Sequence, residues 1–201
     1  NPSPNQLEEL MNAVSTNHTY FNRESKHYDE LKRMLPKLAA EAEKRMRRKE
    51  LRVWCGAASF GHEPYTLAML LADHFGPVYG QWDAGLLATD ISDNALERAR
   101  RGVYPEDEVD AMPADLRERH MKRLPNGEWA VKEERKREVL FRRFNLMNPL
   151  PFKKPFDVVF LRNVMIYFDN DTRAELVKRI AQKMYPGAFL FVGLSESLPR
   201  E

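Results

Sequence analysis

The sequence predicts an α/β fold: a doubly wound, mainly parallel sheet with a small antiparallel β-subdomain inserted into it. Three observations carry this. Buried-strand patterns alternate with amphipathic helical ones along most of the 201 residues. A turn of small residues, Gly56-Ala-Ala-Ser-Phe-Gly61, falls between the first strand and its helix. An acidic residue, Asp90, ends the second strand. Strands that alternate with helices make a parallel sheet covered on both faces.

The first element is a helix from about Ser25 to Arg48, with Tyr28, Leu31, Leu35, Leu38 and Ala42 at three- and four-residue spacing. Pro36 is expected to bend it or split it in two. Leu51 to Cys55 is a buried strand, and Pro64 to Phe75 a helix with proline in its tolerated first turn. Leu86 to Ile91 is the second strand. Ser92 or Asp93 caps the next helix, which runs through Arg101 and ends at Gly102. Phe156 to Leu161 is a third core strand, and Asp169 or Asp171 caps a helix whose Leu176, Val177, Ile180, Ala181 and Met184 share a face. Pro186-Gly187 is expected to break that helix before a last strand, Ala188 to Gly193.

Residues 113–145 depart from this rhythm. A short helix, about Ala114 to Lys122, leads to Asn126-Gly127, a strong hairpin signal. Glu128 to Lys132 and Val139 to Phe144 are read as the flanking strands of the inserted subdomain, joined by the charged stretch Glu133 to Glu138. The chain thus divides into an N-terminal segment with a linker helix, 1–48, and a sheet domain, 49–201, carrying the insert at about 113–145.

Composition is that of an ordinary globular chain, 43% apolar and 31% charged, with no run long enough to span a bilayer. The N-terminus lacks the layout of a secretory signal. Cys55 is the only cysteine, which excludes an intrachain disulfide and fits a cytoplasmic address. Net charge is only +2, yet basic residues cluster at Lys44–Arg52 and at Arg135–Arg143. Such clusters are either solvated faces or a surface for an acidic partner, and charge alone leaves both open.

The Gly56–Gly61 turn lets backbone and a helix N-terminus approach a ligand closely. It is neither a P-loop, because His62-Glu63 follows it, nor a clean G-x-G-x-x-G, because Ala58 takes the middle position. A carboxylate at the end of strand two, Asp90, is where this architecture holds a ribose diol. Together they favour an adenosine ligand at the carboxyl edge of the sheet. At this point a dinucleotide and S-adenosylmethionine both remain open.

Longer motifs go further. Thr16-Asn-His-Thr-Tyr-Phe-Asn-Arg-Glu24, Arg52 to Ala68, Ala88-Thr-Asp-Ile-Ser92, Phe144-Asn-Leu146, Phe156 to Asp169 and Gly193-Leu-Ser-Glu-Ser197 occur in that order. This set resembles the chemotaxis receptor methyltransferases, the CheR family, from about Leu10 to the end. The resemblance implies a Rossmann-like S-adenosylmethionine-dependent methyltransferase sheet and transfer of methyl groups to glutamate side chains of chemotaxis receptors. It implies cofactor contacts from Asn17, Thr19, Arg23, Gly56, Glu63, Asp90, Asn145, Leu146, Arg162 and Asn163. Arg23 and Tyr167 are placed beside the transferring methyl group as catalytic residues. The structural alternatives are a helix-capping role for Arg23 or its pairing with Glu24, a core position for Tyr167, a turn role for Asn145 and a surface ion pair for Arg162.

No metal is implied, and the expected partners are the cytoplasmic domains of the receptors, without membrane insertion. A nucleic-acid partner is not expected, because Arg162-Asn-Val-Met-Ile-Tyr167 stands where an Asn/Asp-Pro-Pro-Tyr-like box would be. The remaining alternatives are a non-catalytic cofactor-binding signalling module and a methyltransferase acting on another substrate class, such as a small molecule. Two departures from the family pattern stand out: His62 replaces the usual Glu, and Asn22 a second Phe. His62 is expected to face solvent. The family's N-terminal helical domain is expected to be largely missing before Thr16. Some family members hold their receptor through a peptide tether that adds a strand to the inserted hairpin. The short turn Leu124-Pro-Asn-Gly127 and the charged Glu133–Arg137 argue against tether use here.

Overall fold

A computed structural model describes residues 19–198. Its frame is a five-stranded, wholly parallel sheet: β1 (Val53–Cys55), β2 (Leu86–Asp90), β6 (Val139–Arg143), β7 (Phe156–Leu161) and β8 (Met184–Val192). The spatial order is β6-β2-β1-β7-β8, so the chain winds outward from β1 in both directions. The order reverses between β1 and β7, and a sheet of this kind binds its ligand outside the carboxyl ends of the strands at that reversal.

Alternation along the strands divides the core in two, as a period of two requires. Val53, Cys55, Leu86, Ala88, Val158 and Phe160 face one side. There they pack against α1 (Lys26–Met46), α2 (His62–Phe75) and α3 (Asp93–Arg101). Trp54, Val159 and Leu161 face the other, under Leu176 and Ile180 of α7 (Asn170–Ala181), and Phe156 joins them because β7 is irregular between Phe156 and Val158. Both faces are covered, which is why β7 is buried at every position.

Ser92 caps α3 by accepting a bond from the Ala95 N–H at 3.2 Å, and Gly102 closes it in the left-handed region. Asp169 caps α7 by accepting from the Thr172 N–H at 2.8 Å. Helix α1 is continuous through Pro36, which neither splits it nor ends it. An interior proline costs about 3 kcal/mol. Tyr28, Leu31, Leu35, Leu38 and Ala42 are all buried along one stripe, and full burial of each larger one contributes roughly 1.5–3 kcal/mol. The stripe outweighs the break, and Pro36 sits on the exposed side.

Two further expectations are corrected. The last helix ends at Ala181, and Pro186-Gly187 lies inside β8 rather than before it. There the pairing with β7 jumps from Phe156↔Met184 to Val158↔Phe189, so the Pro-Gly pair forms an irregularity within the strand. The inserted sheet is also composed differently. Asn126-Gly127 joins β4 (Met121–Arg123) to β5 (Trp129–Val131), and the third strand is β3 (Val103–Tyr104), in the order β3-β5-β4. Val139–Arg143 is a strand as expected, but it pairs in parallel with Leu86–Asp90 in the main sheet. The insert therefore ends before residue 139, and it contains α4 (Glu106–Val109), α5 (Ala114–His120) and α6 (Glu133–Lys136).

About half of the clustered basic residues are turned onto the protein's own acids. Arg45 pairs with Asp157, and Arg48, Arg52 and Lys154 converge on Glu50, which is 2% exposed. Arg135 pairs with Glu138, Lys136 with Glu133, and Arg143 with Asp93. Among the described residues no helix is long and apolar enough to cross a membrane.

Candidate functional site

Six of the candidate residues gather at the carboxyl edge of the sheet because each ends a strand or follows its end. Gly56 follows β1, Asp90 ends β2, Asn145 and Leu146 follow β6, and Arg162 and Asn163 follow β7. Gly56 donates its N–H to the Phe160 carbonyl at 2.8 Å, which ties the two strands flanking the reversal. A side chain there would meet Leu161 Cδ1 at 2.9 Å and the Trp54 ring at 3.3 Å, so glycine lets these buried side chains close over the turn without shifting. Gly61 turns the chain into α2 at φ +93°, with Ala99 against it.

The turn itself is less of an anion cradle than its composition suggests. The N–H groups of Gly56, Ala58, Ser59 and Gly61 are spent on Phe160 O, Thr89 O, Asp90 Oδ2 and Ala58 O. A pyrophosphate would need several such donors pointing outward. The turn supplies close approach rather than charge recognition, which favours a ligand without a pyrophosphate.

Asp90 is held from behind. Oδ2 accepts from the Ser59 N–H at 2.8 Å and Oδ1 from the Ser92 N–H at 2.9 Å. Each carboxylate oxygen can accept further bonds, so a diol is within its capacity. Burial pushes the Asp90 carboxyl up, against the opposing pull of these backbone bonds.

A second group forms around Arg162. This side chain is 5% exposed, so it is neither at the surface nor idle. Nη1 lies 2.9 Å from Glu63 Oε2 and Nη2 lies 3.3 Å from Glu24 Oε2. Nη2 also donates to the Arg23 carbonyl at 2.5 Å, and the guanidinium stacks over the Tyr28 ring. Burial alone would lower the Arg162 pKa, but Glu63, Tyr28 and Glu24 more than offset it and hold the cation charged. Burial raises the Glu63 carboxyl, with Arg162 pulling the other way, and Cys55 donates its thiol to Glu63 Oε1 at 3.1 Å. The site thus brings Arg23, Glu63 and Arg162 together and adds Glu24, whose partner is Arg162.

Asn163 adopts φ +58° and its N–H donates to Glu196 at 2.9 Å. Glu196 also accepts from the N–H groups of Gly193, Met165 and Ile166. This carboxylate shapes the loop after β7, a role that nothing local in Gly193–Ser197 discloses. Asn145 accepts from the Met147 N–H at 2.9 Å, so the turn role is real. Leu146 is buried against α7's face of the core. Tyr167, in a 3₁₀ turn (Met165–Tyr167), is 52% exposed at the rim and is not a core aromatic. Thr19 is half-buried at the start of the described chain, and Asn17 lies outside the described residues.

His62 does not face solvent. It is 1% exposed, with Nε2 2.7 Å from Glu108 and its ring against Phe21 and Tyr104. The first residue of α2 points inward here because Gly61 turns the helix start onto α3, under the insert.

Comparison with known proteins decides the family. Residues 17–201 match the family model for the CheR methyltransferase, SAM binding domain. The chain belongs to the CheR methyltransferase family. It is 42% identical over 195 residues to a chemotaxis protein methyltransferase of Borreliella burgdorferi, covering 96% of this chain and 69% of that protein. It is 37% identical over 201 residues to the chemotaxis protein methyltransferase of Escherichia coli, covering 98% of this chain and 66% of that protein. Chemotaxis protein methyltransferase 2 of Pseudomonas aeruginosa is 37% identical, with 96% and 68% covered. The chain spans about two thirds of the length of these relatives. The parallel sheet, with its reversal between β1 and β7, is the S-adenosylmethionine-binding frame of this CheR domain.

Proposed function

We propose that this CheR domain transfers methyl groups from S-adenosylmethionine to glutamate side chains of chemotaxis receptors, forming methyl esters in the cytoplasm. The observation that carries the reading is the position of Arg23. Its backbone is hydrogen-bonded to Arg162 at the reversal of the sheet, beside the turn where this fold binds its ligand. The Arg23 charge is felt at the buried Glu63 carboxyl, which it helps to pull down, and a cation near that carboxyl suits an anionic acceptor.

The residues suit the cofactor. Asp90 offers a carboxylate to the ribose, Leu146 an apolar surface, and Gly56 close backbone approach. Asn17, Thr19, Arg23, Glu63, Asn145, Arg162 and Asn163 complete the proposed set, with Arg162 acting through Glu63 and the Arg23 carbonyl. When bound, S-adenosylmethionine supplies an electrophilic methyl group on a cationic sulfonium.

The chain's own task is positioning. A glutamate side chain has an ordinary pKa of about 4.3, so at neutral pH it is already a nucleophile and needs no general base. Arg23 holds it through a planar fork and Tyr167 adds a directed hydrogen bond at the rim. Well-oriented reactants reach effective molarities of roughly 10⁵–10⁸ M. Arg23 serves orientation best if it does not over-bind the ground-state carboxylate, because an interaction stronger in the ground state than in the transition state raises the barrier.

The product gives the test. A methyl ester is cleaved by hydroxide to volatile methanol, whereas methyl groups on nitrogen survive mild alkali. Receptor-containing membranes incubated with methyl-labelled cofactor and this protein should release nearly all their label to the vapour phase after brief base treatment. Base-stable label overturns the glutamate reading, and no label transfer at all favours a non-catalytic binding module.

A further inference from the structure

We propose that Glu24 is a positioning residue for methyl transfer: its carboxylate fastens the segment carrying Arg23 to the ends of β7 and β8. The proposal rests on the receptor-glutamate reading for its catalytic consequence, and on geometry alone for the fastening.

The segment is bent where a chain seldom bends. Asn22 and Glu24, the two neighbours of Arg23, have φ of +63° and +53°. Both lie in the left-handed region, which a non-glycine residue occupies only when its surroundings compel it. Asparagine tolerates this region through its short polar side chain, but glutamate has no such local compensation. Something beyond the backbone must therefore hold Glu24.

Two sets of contacts clamp the segment from opposite sides. On the insert side, the Phe21 N–H donates to the Glu108 carbonyl and the Asn22 side-chain amide to the Ala111 carbonyl, each at 2.9 Å. The Phe21 ring is fully buried, edge-on to His62 and Tyr104. On the sheet side, Glu24 Oε2 accepts from the Leu194 N–H at 3.2 Å and pairs with Arg162 Nη2 at 3.3 Å, with the His27 ring alongside. Leu194 follows β8 and Arg162 follows β7. The same Nη2 donates to the Arg23 carbonyl. Arg23 stands between the two clamps, so its backbone is fixed from both directions.

Arg162 engages Glu24 in a sheltered pair, with the Glu24 side chain only 14% exposed. Without Glu24, Arg162 keeps Glu63 through Nη1, but Nη2, the nitrogen that donates to the Arg23 carbonyl, loses its carboxylate partner.

The test compares the whole chain with Glu24→Gln, which keeps shape but loses charge. Amide hydrogen exchange of residues 20–26 should rise at least tenfold while β1 and β7 keep their protection. Turnover on receptor membranes should fall at least tenfold, and S-adenosylhomocysteine affinity by a smaller factor. Glu24→Asp, which keeps the charge with a shorter reach, should recover part of both losses. It also serves in place of the amide should that variant fail to fold. Unchanged exchange in residues 20–26 overturns the proposal, as does a turnover loss matched by equal loss of protection throughout the sheet. If the wild-type protein forms no base-labile ester, the receptor reading falls, while the exchange comparison still decides whether Glu24 fastens the segment.

Discussion

His62 Nε2 lies 2.7 Å from a carboxylate oxygen of Glu108, joining the first residue of α2 to the inserted helix α4. Burial pulls the His62 pKa below its ordinary value, and Glu108 only partly opposes this. Burial also pushes the Glu108 carboxyl up, but hydrogen bonds from His62 and Arg98 outweigh it and hold it low. Arg98 reaches both Glu108 oxygens at 2.6 Å, so it supplies the charge and His62 a neutral donor.

The sign of the pH dependence follows. The unfolded chain takes up a proton on His62 below about pH 6.5, where the folded chain does not, so stability falls as pH drops through that value. His27, His74 and His120 are lowered by burial too and add to the trend. Thermal unfolding midpoints should therefore fall from pH 7.5 to pH 5.5, and His62→Gln should show a smaller fall than wild type. An equal fall in both proteins would contradict the assignment.

Asp90→Ala should weaken S-adenosylhomocysteine binding by about 1.5–3 kcal/mol, the scale of a charged hydrogen bond. That is roughly ten- to a hundredfold in Kd, read by titration calorimetry. Because burial raises its pKa, the interaction should also be lost on acidification earlier than for an ordinary aspartate near 3.9. Unchanged affinity with an intact fold removes Asp90 from the site.

Glu196→Ala should destabilise the protein, since one carboxylate serves the N–H groups of Gly193, Asn163, Met165 and Ile166. The freed donors can be rehydrated in part, which limits the loss to roughly 2 kcal/mol. For a chain of this size that is about 4–8 °C in Tm. A shift under 1 °C by calorimetry would show that the loop keeps its shape without Glu196.

Peptides that add a strand to the inserted sheet should bind weakly. Its edges are β3, two residues long, and β4, three residues long with Lys122 and Arg123 exposed. Short, charged edges resist strand addition. Titration with a receptor-tail pentapeptide should give a Kd weaker than about 100 μM, and low-micromolar binding would overturn this.

Local patterns in the sequence sufficed wherever the cause is local. Ser92, Gly102 and Asp169 mark their helix ends by cap chemistry, and Phe156–Leu161 is legible because both its faces are buried. The ordered motifs disclosed the family, and strand ends placed Gly56, Asp90, Asn145 and Arg162 on one edge. What only the tertiary structure decided is partnership across distance. Val139–Arg143 alternates as either sheet would require, and only the folded chain shows it paired with β2. Pro36 sits in an unbroken helix because a buried stripe outweighs a local penalty. Glu24 meets Arg162, and Glu196 meets the loop after β7, across 138 and about 30 residues of chain. Such contacts carry no periodicity and no turn chemistry; they exist only once the strands that bear them are side by side.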